Sequence, residues 1–302
     1  MKNAIKTTIL LAAMNGVILV IGDLLGGKIG LLVALGIAAL VDFVGYWHSD
    51  KIVLRTYGAR EATEREAPKL HQLVRELCTA ADLPMPRLYI IDSDTPNAFA
   101  TGRHPYRAAV ALTRGTLRVC SGNELKGVLA HELSHVKNRD ILVSSVAATL
   151  AGGVMVLASL MRWETLVGTG SGREDSGRER LGVMLAAVLA PIAATLIQLA
   201  ISRTREYEAD ARGARLTSDP MGLANALRKL ELSNRRQPLA TNAPTAHLFI
   251  VNPLVGGGLL RLFSTHPPIR DRIRRLEQMA SRGSSPEYRP PQPSPLAPDL
   301  WW

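Results

Sequence analysis

The sequence predicts a mainly α-helical integral membrane protein with four transmembrane helices. Three observations carry that reading. Apolar residues gather in four segments, two of those segments have the length of a bilayer crossing, and Lys and Arg collect on the flanks. The chain has 302 residues, enough for a buried core, and its 21% charged content excludes a disordered chain.

Thr7–Gly22 is uncharged, and Ile29–Val41 is uncharged until Asp42 interrupts before FVGYW runs on to Trp47. A tight hairpin through Asp23–Lys28 joins these two shorter segments. The alternative for the first is a cleaved leader behind Lys2 and Lys6, but no small-x-small cleavage site precedes the next apolar run. Ile141–Met161 and Leu181–Ser202 are wholly uncharged and each about 20 residues long, as a hydrocarbon core of roughly 30 Å requires. Buried core helices are the competing explanation for these two, and their uninterrupted length argues against it.

Charge gives the orientation. Residues 48–140 hold 14 Lys and Arg and residues 202–302 hold 15, whereas 162–180 hold four, matched by four acids. The positive-inside rule then puts the amino terminus, 48–140 and the tail in the cytoplasm. The net charge of +10 is thereby accounted for without nucleic acid, and four Phe and six Tyr are too few for a single-strand binder. Cys78 and Cys120 cannot form a disulfide framework and read as reduced thiols. Gly168–Gly177 reads as a flexible loop, and the Pro-rich stretch from Ser284 as a disordered tail.

Chemistry concentrates in SGNELKGVLAHELSHVKNRD, just ahead of the third apolar segment. Ser121 followed by Glu124 is a capping box, so a helix should begin near Gly122. On it His131 and His135 lie one turn apart on one face and can hold one Zn²⁺, while Glu132 lies beside them to take a proton from the attacking water. A third ligand is needed. Asn138 and Ile141 stand where a metzincin would carry glycine and a third histidine, so that class is excluded. SRTREYEADARGA, after the fourth segment, offers Glu206 and Asp210 at i and i+4, with Glu208 roughly 200° around the helix from Glu206. Glu206 as ligand with Asp210 holding a histidine ring is the arrangement metal sites prefer; a surface pair bridged to Arg203 or Arg212 is the alternative.

With HELSHVKNRD before the third segment and SRTREYEAD after the fourth, the sequence resembles the membrane-bound zinc metalloproteases typified by the heat-shock protease HtpX, related to the CAAX prenyl protease Ste24. PNAFATG at Pro96–Gly102, the strand-like AAVALTRGTL and FSTHPPIRDRI agree as well, the last with Asp271 where glutamate is usual. The resemblance covers nearly the whole chain to about residue 280. It implies a cytoplasmic gluzincin-like zinc protease domain with a small β-sheet, one Zn²⁺ per chain on His131, His135 and Glu206, Glu132 as base and Asp210 behind the ligands. It also implies His266 and Arg272 near the scissile carbonyl. A His or Arg donor aimed at the developing oxyanion makes sense of those two, and Pro267-Pro268 can open a helix Ile269–Met279; a basic surface helix is the alternative. Asn97 is a candidate substrate-binding residue, or an ordinary turn residue after Pro96. The strand Ala108–Leu112 could pair with an extended substrate at a sheet edge. His71, His104 and His247 match no ligand spacing and read as structural or solvated.

The expected divisions are a transmembrane hairpin over 1–48, a cytoplasmic protease region over 49–140 with the HExxH helix, and transmembrane helices three and four over 141–202. A second protease region follows over 203–283, then the tail over 284–302. The expected activity is endopeptidase hydrolysis of unfolded, damaged or misassembled membrane proteins, as quality control under stress, at the cytoplasmic face of a bacterial inner membrane. No nucleic acid is expected as partner, and no ATP, because no G-x-x-x-x-G-K-[ST] loop is present. Two rivals stand beside this. An intramembrane site-2-type protease would carry its motif inside an apolar span, whereas HELSH is followed by Lys137, Asn138, Arg139 and Asp140. A membrane scaffold with structural zinc would bind metal without cleaving.

Overall fold

The computed structural model of the protein describes residues 2–148, 203–236, 243–251 and 267–283. Most of the third and fourth apolar segments, the Gly168–Gly177 loop, His266 and the Pro-rich tail therefore lie outside the described residues.

Helix α1 covers Lys2–Thr56 and breaks at Gly27, whose φ of 54° and ψ of −138° leave the helical region. The break is a reversal of direction. Asn15 Nδ2 donates to Asp42 Oδ2 at 2.8 Å, whereas 27 residues of unbroken helix would separate them by roughly 40 Å. The acid that interrupts the second apolar run thus finds its partner across the hairpin, as polar groups in an apolar setting must. Among the described residues one helix, Gly27–Thr56, is long and apolar enough to cross a membrane, with a mean hydropathy of 2.2. Ile29, Leu32, Val33, Leu40 and Phe43 on it are exposed, which a core helix would not allow.

Beyond it lies a four-stranded sheet. β1 (Arg60–Glu61), β2 (Arg87–Ile91), β3 (Ala98–Thr101) and β4 (Ala109–Thr113) stand in the order β1-β2-β4-β3. The β2–β4 pair is parallel and the other two are antiparallel. Here the sequence reading needs correction. The 108–112 strand is β4, which is paired on both sides and has no free edge; β1 and β3 are the edge strands. Continuous burial along β4 matches that inner position.

The helices pack on the sheet around α4 (Gly122–Lys137). Ser121 and Glu124 form the expected capping box, with Ser121 N–H donating to Glu124 Oε2 at 2.7 Å. α2 (Pro68–Ala81) contributes Leu70, Val74 and Leu77 to the core, and α4 contributes Leu125, Leu129 and Leu133. α3 (Arg114–Val119) leads into α4. After α4, Arg139 at φ 58° turns the chain into α5 (140–148), the start of the third apolar segment. α6 (Arg203–Thr217) lies so close to α4 that a Cβ on Gly213 would come within 3.0 Å of the His131 backbone nitrogen. α7 (Pro220–Arg236) and α8 (Ile269–Gly283) close the far side with Leu223, Leu227, Leu230 and Leu276.

Candidate metal centre

α4 and α6 bring together residues 75 positions apart in the chain. His131 and His135 face the same way from α4, and α6 sets Glu206 opposite them. One donor atom from each of the three lies within 4.8 Å of the others. Glu206 Oε1 is 3.5 Å from His135 Nε2 and Oε2 is 3.8 Å from His131 Nε2. Glu206 and Asp210 are buried, at 6% and 3% exposure, while Glu208 on the opposite face is exposed. The surface-pair alternative for Glu206 and Asp210 does not fit that burial.

Each imidazole is gripped from behind. His131 Nδ1 is 2.9 Å from Asp210 Oδ1, and His135 Nδ1 is 3.3 Å from Asp140 Oδ2. With both Nδ1 atoms donating to carboxylates, both Nε2 lone pairs point inward and meet at 3.2 Å. Two facing lone pairs repel unless a cation stands between them. The charge balance agrees. Glu132, Asp140, Glu206 and Asp210 surround the site against Arg205 and Arg272, leaving two negative charges for a divalent ion to balance. Nitrogen and oxygen donors of this kind suit Zn²⁺.

The titration behaviour follows from burial and these neighbours. Burial pulls His131 down to about 4 and so keeps it a neutral ligand, Asp210 opposing and Arg272 reinforcing. For His135 burial also acts downward, but the Glu206, Asp140 and Glu132 carboxylates outweigh it and raise the ring to about 9. Asp210 is driven up by burial and brought down to about 2 by Arg272 and His131. Glu132, 2% exposed, is pushed up to about 7 by burial and by Glu206, with His135, Arg272 and the Ala100 N–H opposing. A proton or a metal ion is thus what this cluster requires.

Other candidate residues take different places from those expected. Arg272 is 0% exposed, and its Nη1 lies 3.9 Å from Glu206 Oε2. Its Nε and Nη2 donate to Asp210 at 2.8 and 2.7 Å, and Nη1 donates to the Ile250 carbonyl at 2.8 Å. From there it steadies Asp210 and through it His131. Asn97 is also 0% exposed. Its Nδ2 donates to the Val251 carbonyl at 2.8 Å and its Oδ1 accepts from Ala98 and Val251, so its amide is spent on the fold rather than on substrate.

Three residues passed over in the sequence belong to the site. Asp140 backs His135, and Arg205 in turn donates to Asp140 at 3.2 Å. Their signal was the acid directly after the helix break and the base immediately before Glu206. His247, at 4% exposure, lines the cleft with the ligands, and its Nε2 approaches the Ser144 carbonyl at 3.1 Å. No spacing rule reaches it.

The sequence profile of peptidase family M48 matches residues 64–280, which includes every described residue of this cluster. The chain belongs to peptidase family M48. It is therefore a metalloprotease of a membrane-associated group, and its curated relatives agree. A protease HtpX homolog of Syntrophobacter fumaroxidans is 54% identical over 282 residues, covering 92% of this chain and all of the relative. Those of Desulfatibacillum aliphaticivorans and Aquifex aeolicus are each 49% identical, covering 100% and 89% of this chain and 99% and 91% of the relatives. The M48 fold is seen in the crystal structure of S. mikatae Ste24p, with a TM-score of 0.50 at 19% identity. The match covers 91% of this chain and 66% of that longer one.

Proposed function

We propose that the protein is a zinc-dependent endopeptidase of the bacterial inner membrane that cleaves misfolded or damaged membrane proteins at the cytoplasmic face. One observation carries the reading: two inward-facing imidazoles and one carboxylate converge within 4.8 Å beside a buried Glu132. His131, His135 and Glu206 hold the ion, one per chain, and Asp210 and Asp140 fix the two rings. Zinc in that place supplies Lewis acidity, bringing the pKa of water toward neutral and polarising a peptide carbonyl.

Glu132 takes the proton from the attacking water and delivers it to the leaving amine. Edge strand β3 flanks the cleft through Ala100, whose N–H meets Glu132, while Ala98 N–H and O are taken by Asn97 Oδ1 and by Ile250 N–H at 2.9 Å. His266 is kept as the donor to the developing oxyanion, with Arg272 bracing Asp210 beside the ligands. Four passes belong to the proposal: two spans between His135 and Glu206 would return the chain to the face where these residues meet. The Lys and Arg flanks favour the cytoplasm as that face. Stress-linked quality control of membrane proteins, without ATP or nucleic acid, completes the reading.

The test is metal analysis of the purified protein together with cleavage of an unfolded substrate such as casein. Glu132→Gln should retain zinc and lose activity by several decades. A Glu132→Gln protein that degrades casein at the normal rate refutes the mechanism, and a protein that binds zinc but never cleaves supports the scaffold reading instead.

A further inference from the structure

The turn between β3 and β4 is built to hold a single shape. Gly102 sits at φ 131°, and a Cβ there would stand 2.5 Å from the Arg107 carbonyl oxygen, so the loop closes on itself only through glycine. His104 Nδ1 accepts from the Tyr106 N–H at 3.3 Å, Pro105 opens the 3-10 turn Pro105–Arg107, and the His104 ring stacks on Tyr106 at 5.4 Å. The result is a stiff finger that carries Tyr106 at 79% exposure between Arg103 and Arg107.

Two contacts set its height. The Arg103 guanidinium lies 4.0 Å from the Trp47 ring centre and 6.0 Å from that of Tyr46, where the apolar run of α1 ends. Thr101, the last residue of β3, shares a 2.7 Å hydroxyl hydrogen bond with Ser145, inside the uncharged segment that begins at Ile141. The finger is thus pinned between the ends of two apolar helices. At that level α1 exchanges Leu40 and Phe43 for Tyr46, Trp47, His48 and Lys51, the residue types of a membrane interface.

We propose that the Gly102–Arg107 finger is a phospholipid-headgroup site. Arg103 and Arg107 take the phosphates of anionic phospholipids in the adjoining leaflet, and Tyr106 lies among the headgroups. The proposal rests on reading Gly27–Thr56 as a membrane span. Charge complementarity favours anionic lipid, since Lys51 and Arg55 on α1 add to the two arginines. A consequence for cleavage follows. Ala100 is two strand residues, at most roughly 7 Å along the chain, before Gly102, so a headgroup-bound finger keeps the Glu132 cleft beside that layer, within reach of substrate segments that have just left the bilayer.

The test uses the full chain with Tyr106→Cys labelled by an environment-sensitive fluorophore. The chain is reconstituted in vesicles of phosphatidylcholine and phosphatidylglycerol, with the unsubstituted chain as background. Headgroup-spin-labelled lipids should quench the label, and labelled phosphatidylglycerol should outdo labelled phosphatidylcholine by about fivefold for each arginine engaged. Arg107→Gln alone, at an exposed position, should remove about one such factor; adding Arg103→Gln should bring the ratio near one. A chain that does not float with the vesicles overturns the span and the proposal with it. A chain that floats with its label unquenched overturns the finger's placement alone, and equal quenching by both lipids overturns the anionic-headgroup assignment.

Discussion

Replacing Arg272 with methionine separates a supporting role from a direct one. The guanidinium is fully buried and turned inward, with two bonds to Asp210, one to the Ile250 carbonyl, and Nη2 3.4 Å from His131 Nδ1. Methionine fills much of the space but leaves the Asp210 carboxylate buried without its counter-charge. Removing one partner of such a pair costs about 3–5 kcal/mol, and the lost bond to Ile250 adds about 1 kcal/mol. In a folded unit of this size that lowers Tm by on the order of 10 °C. Asp210 then loses its hold on His131, and metal affinity should fall about 10–100-fold. The assays are thermal unfolding of the detergent-solubilised protein, metal content against graded chelator, and cleavage rate as metal is restored. The expected pattern is a lower Tm, weaker metal binding and activity that recovers in excess metal. A second variant, Arg272→Met with Asp210→Asn, should regain stability because both charges are gone. An Arg272→Met protein with normal Tm and metal affinity but a kcat lowered about 10²-fold would refute this reasoning and return Arg272 to the oxyanion.

Glu206→Ala should strip the metal and activity, whereas Glu208→Ala on the exposed face should leave metal content unchanged; the reverse pattern would mean that α6 is rotated. Gly127→Ala should destabilise by about 1–3 kcal/mol despite better helix propensity, because the added Cβ would stand 2.7 Å from the Leu223 backbone nitrogen and force α4 from α7. A raised Tm in that variant would contradict the packing. Burial pushes Cys78 up to about 11 and Cys120 up to about 12, so both stay protonated and nearly inert to maleimide at pH 8 in the folded protein, reacting only in denaturant. Fast labelling of either in the native state would count against the core as described.

Local rules explain what was legible in the sequence. The capping box at Ser121 and Glu124, the one-turn spacing of His131 and His135, and the inward face shared by Glu206 and Asp210 all follow from helix geometry over a few residues. The interrupted apolar run from Ile29 to Trp47 falls within the helix Gly27–Thr56, and Asp23–Lys28 contained the break at Gly27. What the sequence left undecided were the partners of side chains, since these are met only after folding. Asp210 and Arg272 are 62 residues apart, and Asn97 and Val251 are 154 apart. No periodicity connects them, so the bonds of Arg272 to Asp210 and of Asn97 to Val251 could be read only from the folded chain. Strand order decided the edge in the same way: β4 and β3 are similar apolar runs, and only their pairing put β3 on the outside beside Glu132.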